Sequence, residues 1–152
     1  DYALADKTIA EPLNATALVD GEWFILNTAY QAVRAASVAG AGNFPTQTSY
    51  PCFCERGRSD ILAMSQRKIP LIFMGDFEAD TRIFDAAVAI SGGAAITFVG
   101  QPLKVASITI GGKIVCGLVG AVAADGEPIV GRVTRLPANN GGKLRFIKAS
   151  SI

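Results

Sequence analysis

The sequence predicts an all-β fold: a single compact β-barrel or jelly-roll-like sandwich over residues 20–152, preceded by an extended N-terminal arm over residues 1–19. Three observations carry this prediction. Ile69, Leu71, Ile72, Phe73 and Met74 form an apolar run, interrupted by Pro70, that is too short for an ordinary helix and rich in β-branched and aromatic residues. Glycine- and asparagine-based turn signals such as Gly111-Gly112 and Asn139-Asn140-Gly141-Gly142 punctuate the last third of the chain. Between such signals lie strand-like stretches at a spacing of roughly 8–12 residues, the pattern of sandwiches and barrels.

Taken in order, residues 1–19 have no clean period. Tyr2, Leu4, Ile9, Leu13 and Leu18 are scattered among small and charged residues, so this arm needs another surface to order it. Asp20-Gly21 is a turn signal, and Glu22-Trp23-Phe24-Ile25-Leu26 reads as a strand. Asn27-Thr28 could open a hairpin or cap a helix, because good helix formers follow it; a second strand over 30–35 is the preferred reading. Residues 37–48 form a loop, 50–55 a short strand, 56–60 a turn and 61–64 a single helical turn. The centre of the fold is expected at 68–84. There the run 69–74 is a buried strand, Gly75-Asp76 reverses the chain, and 77–84 returns with the alternation of a half-exposed strand. Residues 85–95 are rich in small side chains, with a turn at Gly92-Gly93. Gly100-Gln101-Pro102 then opens a strand over 103–110. Gly111-Gly112 supplies the two positive-φ positions of a primed turn, and 113–118 returns. A loop over 120–126, a strand over 129–136, the turn at 139–142 and a last strand over 143–147 complete the chain.

A chain of 152 residues fits one domain and can bury about 70% of its unfolded surface without staples. Half of its residues are apolar and only 18% are charged, against a usual charged fraction of roughly 25%. With so much of the apolar content in Ala and Val, the balance leans toward surface given to partners. The net charge of +1 argues against nonspecific nucleic-acid binding, which needs clustered cations. The most basic local group, Arg56, Arg58, Arg67 and Lys68, is interleaved with Glu55 and Asp60 and reads as a solvated loop. The longest apolar stretch, 86–99, is broken by Ser91-Gly92-Gly93 and is too short to span a bilayer, so no membrane is expected. The start of the sequence lacks the apolar core of a signal peptide. Three cysteines, an odd number, exclude a complete intrachain disulfide framework and suggest a reducing compartment. Cys116 reads as a small buried hydrophobe.

The sequence contains no histidine. That removes the commonest general base, the usual activator of a nucleophile and the commonest zinc ligand. Cys54 near Arg56 is the one thiol with a basic neighbour to activate it, and an inert strand cysteine is the favoured reading. Cys52-x-Cys54 with Cys116 gives three thiols without the C-x-x-C spacing of a zinc site. Asp76-x-Glu78-x-Asp80 looks like the start of a calcium loop. Thr81 stands where glycine is required and Ala87 where glutamate is required, so a solvated strand edge is the better reading. Gly111-Gly112-Lys113 and Gly141-Gly142-Lys143 lack the remainder of a phosphate loop and are turns. No catalytic residue, cofactor or metal is expected. Trp23 and Phe24, beside the arm, suit an interface and suit the core at least as well.

Several short segments stand in a familiar order. They are Asp20-Gly21-Glu22-Trp23 leading to Leu26; Cys54-Glu55-Arg56-Gly57-Arg58-Ser59-Asp60; the 68–74 strand; Gly75-Asp76-Phe77-Glu78-Ala79-Asp80-Thr81; Gly100-Gln101-Pro102-Leu103; Ile129-Val130-Gly131-Arg132-Val133-Thr134-Arg135; and Gly142-Lys143-Leu144-Arg145-Phe146. In that order they resemble small structural proteins of tailed bacteriophages, in particular head decoration or cement proteins. The resemblance implies a virion protein, not an enzyme, made in the bacterial host cytoplasm and placed on the capsid exterior. Its partners would be the major capsid protein and itself, as a homodimer or homotrimer. The contact residues would be Tyr2, Leu4, Ile9 and Leu13 of the arm, with Trp23 and Phe24. Other readings are a tail-tube or head-completion protein, an OB-like nucleic-acid module and a thiol enzyme.

Overall fold

The computed structural model describes residues 2–8, 21–26, 32–34, 52–54, 68–87, 93–121 and 129–148, and among these the fold is antiparallel β with no α-helix. The strands are β1 (Tyr2–Thr8), β2 (Trp23–Leu26), β3 (Ala32–Arg34), β4 (Cys52–Cys54), β5 (Lys68–Gly75), β6 (Phe77–Thr81), β7 (Gly93–Ala94), β8 (Pro102–Ile110), β9 (Lys113–Ala121), β10 (Gly131–Arg135) and β11 (Leu144–Lys148). A 3₁₀ turn, Pro137–Asn139, joins the last two. They form a five-stranded sheet of order β1-β5-β4-β2-β3 and a six-stranded sheet of order β6-β11-β10-β8-β9-β7.

The clearest local rule is obeyed at the β8–β9 hairpin. Gly111 and Gly112 have φ of 57° and 77°, the left-handed pair that a primed turn requires. The ladder then runs without a shift from Ile110↔Lys113 to Leu103↔Gly120. β9 extends past Leu118 to Ala121, where a loop was expected, because Gly120 and Ala121 pair with Ala94 and Gly93 of β7. Gly93 is thus a strand residue and not a turn. The expected strands 22–26, 30–35, 50–55, 103–110, 129–136 and 143–147 correspond to β2, β3, β4, β8, β10 and β11. The loop at 37–48, the turn at 56–60 and the helical turn at 61–64 lie outside the described residues.

The expected central hairpin is corrected. β5 and β6 are separated by Asp76 alone and belong to different sheets. Both edges of β5 are already taken, by β1 and by β4, so β6 has no place beside it and pairs instead with β11. Gly75-Asp76 is a corner at which the chain passes from one sheet to the other. The arm is also ordered by a surface of its own chain over its first residues. Tyr2–Thr8 pairs antiparallel with β5 from Tyr2↔Gly75 to Thr8↔Lys68, with a register shift between Ala3 and Leu4. Ile9 and Leu13 lie outside the described residues.

Among the described residues neither sheet closes into a barrel, but the six-stranded sheet curls strongly. β6 is one edge, and its Thr81 pairs with Leu144. Two residues later Ile83 O accepts the Leu118 N–H of β9, near the opposite edge, and Asp85 N donates to Leu118 O, each at 3.0 Å. Two residues of chain reach only about 7 Å, so the two sides of the sheet approach each other at this end.

The main core lies between the sheets. Trp23, Phe53 and Ile72 come from the first sheet, and Leu103, Val105, Cys116, Leu118, Val133, Leu144 and Phe146 from the second. The Trp23 and Phe53 rings are 5.2 Å apart, and both reach Phe146, at 6.0 and 5.7 Å. The other face of β8–β9 carries a second cluster of Ile83, Ala106, Ile108, Val115 and Val119. The β8–β9 ribbon is therefore buried on both faces, which is why its apolar run is nearly continuous rather than alternating.

Candidate functional site

The turn entering β8 is held from below. Gln101 N donates to Phe98 O at 3.4 Å, and Gly100, third in that four-residue turn, has φ of 89°, as a type II turn requires. Behind the turn the Gln101 side chain is buried. Its Oε1 accepts the Thr97 and Phe98 N–H groups at 2.8 and 3.4 Å, and its Nε2 donates to Ala95 O at 2.6 Å. Gly100 N donates to Val133 O at 2.7 Å, and Val133 N to Gln101 O at 3.0 Å, so the turn is docked along β10. At its tip Phe98 and Val99 are 55% and 60% exposed. Two adjacent large apolar side chains are thus held in solvent on a backbone anchored at Thr97, Phe98 and Gly100.

Beside this tip lies the outward face of β10, β11 and β6. Strand alternation turns Leu144, Phe146 and Lys148 inward and Arg145 and Ile147 outward. Ile147 pairs with Arg132 on one side and Glu78 on the other, and Arg145 pairs with Arg135 and Asp80. Arg132 Nη1 donates to Gly100 O at 3.0 Å, which joins the face to the tip. Phe98, Val99 and Ile147 are the exposed large hydrophobics among the described residues, and Arg132 links their two locations, as cross-strand partner of Ile147 and as donor to the tip's Gly100.

The carboxylates of this face are engaged by side chains. Arg145 Nε and Nη2 donate to Asp80 Oδ1 and Oδ2 at 2.8 and 3.0 Å, and Asn140 Nδ2 donates to Oδ1 at 2.9 Å. Thr134 Oγ1 donates to Glu78 Oε1 at 2.7 Å. The Arg145 hydrogen bonds, then the Asn140 hydrogen bond, hold the Asp80 carboxyl well below the usual carboxylate range. The same contact raises Arg145. A depressed folded-state pKa favours the fold above the unfolded carboxyl's titration range, and that contribution is lost as pH falls through the folded value. In an NMR titration the Asp80 carboxyl should titrate below the usual value of about 3.9, and Arg145→Gln should move it upward. A normal midpoint in the unaltered chain would show that the bidentate contact does not persist in solution.

Of the residues expected to meet a partner, the structure describes Tyr2, Leu4, Trp23 and Phe24. Tyr2 and Leu4 lie on β1, opposite Gly75 and Ile72. Of the two readings open for Trp23 and Phe24, interface and core, the burial fits the core: both have no exposed surface. Their strand β2 lies inside its sheet, between β3 and β4, and the Trp23 ring is committed to Phe53 and Phe146. In Asp76-x-Glu78-x-Asp80, Glu78 and Asp80 belong to the cross-strand network described above. Among the described residues no group of three metal-ligating side chains occurs, and Cys116 is a fully buried thiol. The sequence reading missed the Phe98-Val99 tip. Its signal was local, two large apolar residues directly before a turn glycine, but the arginine beside them comes from a strand more than thirty residues away. No family model matches the chain, and comparison with curated proteins and with solved structures yields no match either.

Proposed function

We propose that this chain is a structural protein of a tailed-bacteriophage virion that binds the outer surface of the capsid and bridges neighbouring capsomers, as cement and decoration proteins do. The observation that carries the reading is the ordered set of short segments from Asp20-Gly21-Glu22-Trp23 to Gly142-Lys143-Leu144-Arg145-Phe146. Many of these coincide with features on which the fold depends: the corner at Gly75-Asp76, strand β6, the turn at Gly100-Gln101 and strands β10 and β11. A jelly-roll-like sandwich is the finer form of the architecture that goes with this reading.

The mechanism is mass action. A ligand that binds only the expanded shell and spans adjacent subunits stabilises that shell, and repetition around the lattice gives each weak contact a high effective concentration. Purified chain mixed with expanded, undecorated heads of the phage that encodes it should co-sediment to saturation and raise the temperature at which the heads rupture. In solution it should be a dimer or trimer. Absence of the chain from the sedimented heads, or assembly into a large ring, would overturn the reading, and a ring would point to the tail tube.

A further inference from the structure

We propose that the outward face of β10 and β11, with the Phe98-Val99 tip at its edge, is a docking surface for an acidic protein surface that offers an apolar socket to the tip. The shape of the argument is anchor plus charge. Phe98, Val99 and Ile147 are solvent-exposed, and the first two stand on a base fixed by the buried Gln101 amide and by Arg132. A preorganised anchor loses little freedom on binding, and aromatic residues with arginines are the usual centres of binding energy.

The charge around the anchor selects the partner. Arg82, Arg132, Arg135, Lys143 and Arg145 lie on or at the end of this face, against Glu78 and Asp80. With Asp76 at the other end of β6 counted as well, the described residues leave +2 on this face of a chain whose net charge is +1. Asp80 is already satisfied by Arg145 and Asn140, and Arg135 is an exposed cation on β10, the strand along which the tip is docked. A two-fold contact between copies would set one net positive face against another, and like charges facing each other oppose association. A nucleic acid would meet an apolar centre and a row of carboxylates in place of a continuous cationic track. An acidic protein surface with an apolar depression complements both features.

The inference deepens the capsid reading by giving the chemistry of the contacted surface, and it rests on that reading only for the partner's identity. The test uses the full chain, its Phe98→Ser and Arg135→Glu variants, and three probes: a fluorescent peptide of interspersed Glu and Leu, its Lys-and-Leu counterpart, and a single-stranded DNA oligonucleotide. Both substitutions are at exposed sites, and circular dichroism and thermal unfolding should be unaltered. The acidic peptide should bind in a salt-sensitive manner, the basic peptide should not, and each variant should weaken binding about ten-fold or more. Equal binding of both peptides, binding unchanged in both variants, tighter binding of DNA than of the acidic peptide, or loss of a self-associated state in Phe98→Ser would each overturn the proposal. The two readings fail separately. A chain that binds the acidic peptide but leaves phage heads bare removes the capsid reading alone. Variants that decorate heads as well as the unaltered chain remove the docking face alone.

Discussion

Phe146→Ala should destabilise the chain by about 3–5 kcal/mol, the range for truncating a large buried aromatic side chain. Phe146 has no exposed surface and stands where the two sheets meet. It comes from β11 of the six-stranded sheet, and its ring lies 6.0 Å from Trp23 and 5.7 Å from Phe53, both of the other sheet. Phe77, just past the corner between the sheets, is a third ring neighbour at 6.0 Å. Alanine here removes a ring from the middle of four and leaves a cavity that two hydrogen-bonded sheets cannot easily close. Because a domain has only about 5–15 kcal/mol in total, the variant would have little stability left. Urea denaturation checks this: the midpoint should fall sharply with little change in slope. Phe146→Leu, which fills more of the space, should lose much less. A loss below about 1 kcal/mol for alanine would mean that the sheets do not meet through this ring.

That aromatic cluster shows what a linear reading of the sequence can and cannot reach. Strand 22–26 was legible from its turn signal and apolar content, and the β8–β9 hairpin from two consecutive glycines, because both signals are local. Whether Trp23 and Phe24 faced a partner or the interior was not local. Adjacent strand residues point to opposite faces, and both being buried requires cover on two sides that only the assembled fold provides. The corner at Gly75-Asp76 failed for the same reason. A glycine followed by an aspartate is a fair signal for a change of direction, but hairpin and corner share it. What decides between them is that β1 and β4 occupy both edges of β5, and those strands lie far away in sequence. The alternation after the corner was legible: Glu78 and Asp80 are exposed while Phe77 and Ala79 pack on the core. A strand edge was thus the right reading of the acidic triplet, whereas the arginine that binds Asp80 became visible only with the β6–β11 register. The same limit applies to the candidate docking surface. Its residues come from four separate stretches of sequence, and only the register of β6, β8, β10 and β11 makes them neighbours.

Gly120→Ala tests the close packing on which that surface stands. A Cβ at Gly120 would lie 2.6 Å from Gln101 Nε2 and closer still to the Ala94 carbonyl oxygen. Ala94 is held to Gly120 by the β7–β9 ladder, and the Gln101 amide is held by its bond to Ala95 O at 2.6 Å. Neither neighbour is the free end of a flexible chain, so β7 must lift or the amide must leave its site. Overpacking of this kind costs about 1–3 kcal/mol, and a displaced Gln101 would leave the Thr97 and Phe98 N–H groups without their side-chain acceptor. Thermal unfolding should fall accordingly. Amide hydrogen exchange should quicken at Thr97 and Phe98, whereas the β8–β9 amides nearest Gly111-Gly112 should hold their protection at temperatures where the variant is still folded. Gln101→Ala, which removes the acceptor without adding bulk, should reproduce the faster exchange at Thr97 and Phe98 with a smaller loss of stability. Unchanged exchange at both amides in both variants would mean that the tip is not held by Gln101. Its exposed phenylalanine and valine would then lose the preorganisation that makes them an anchor.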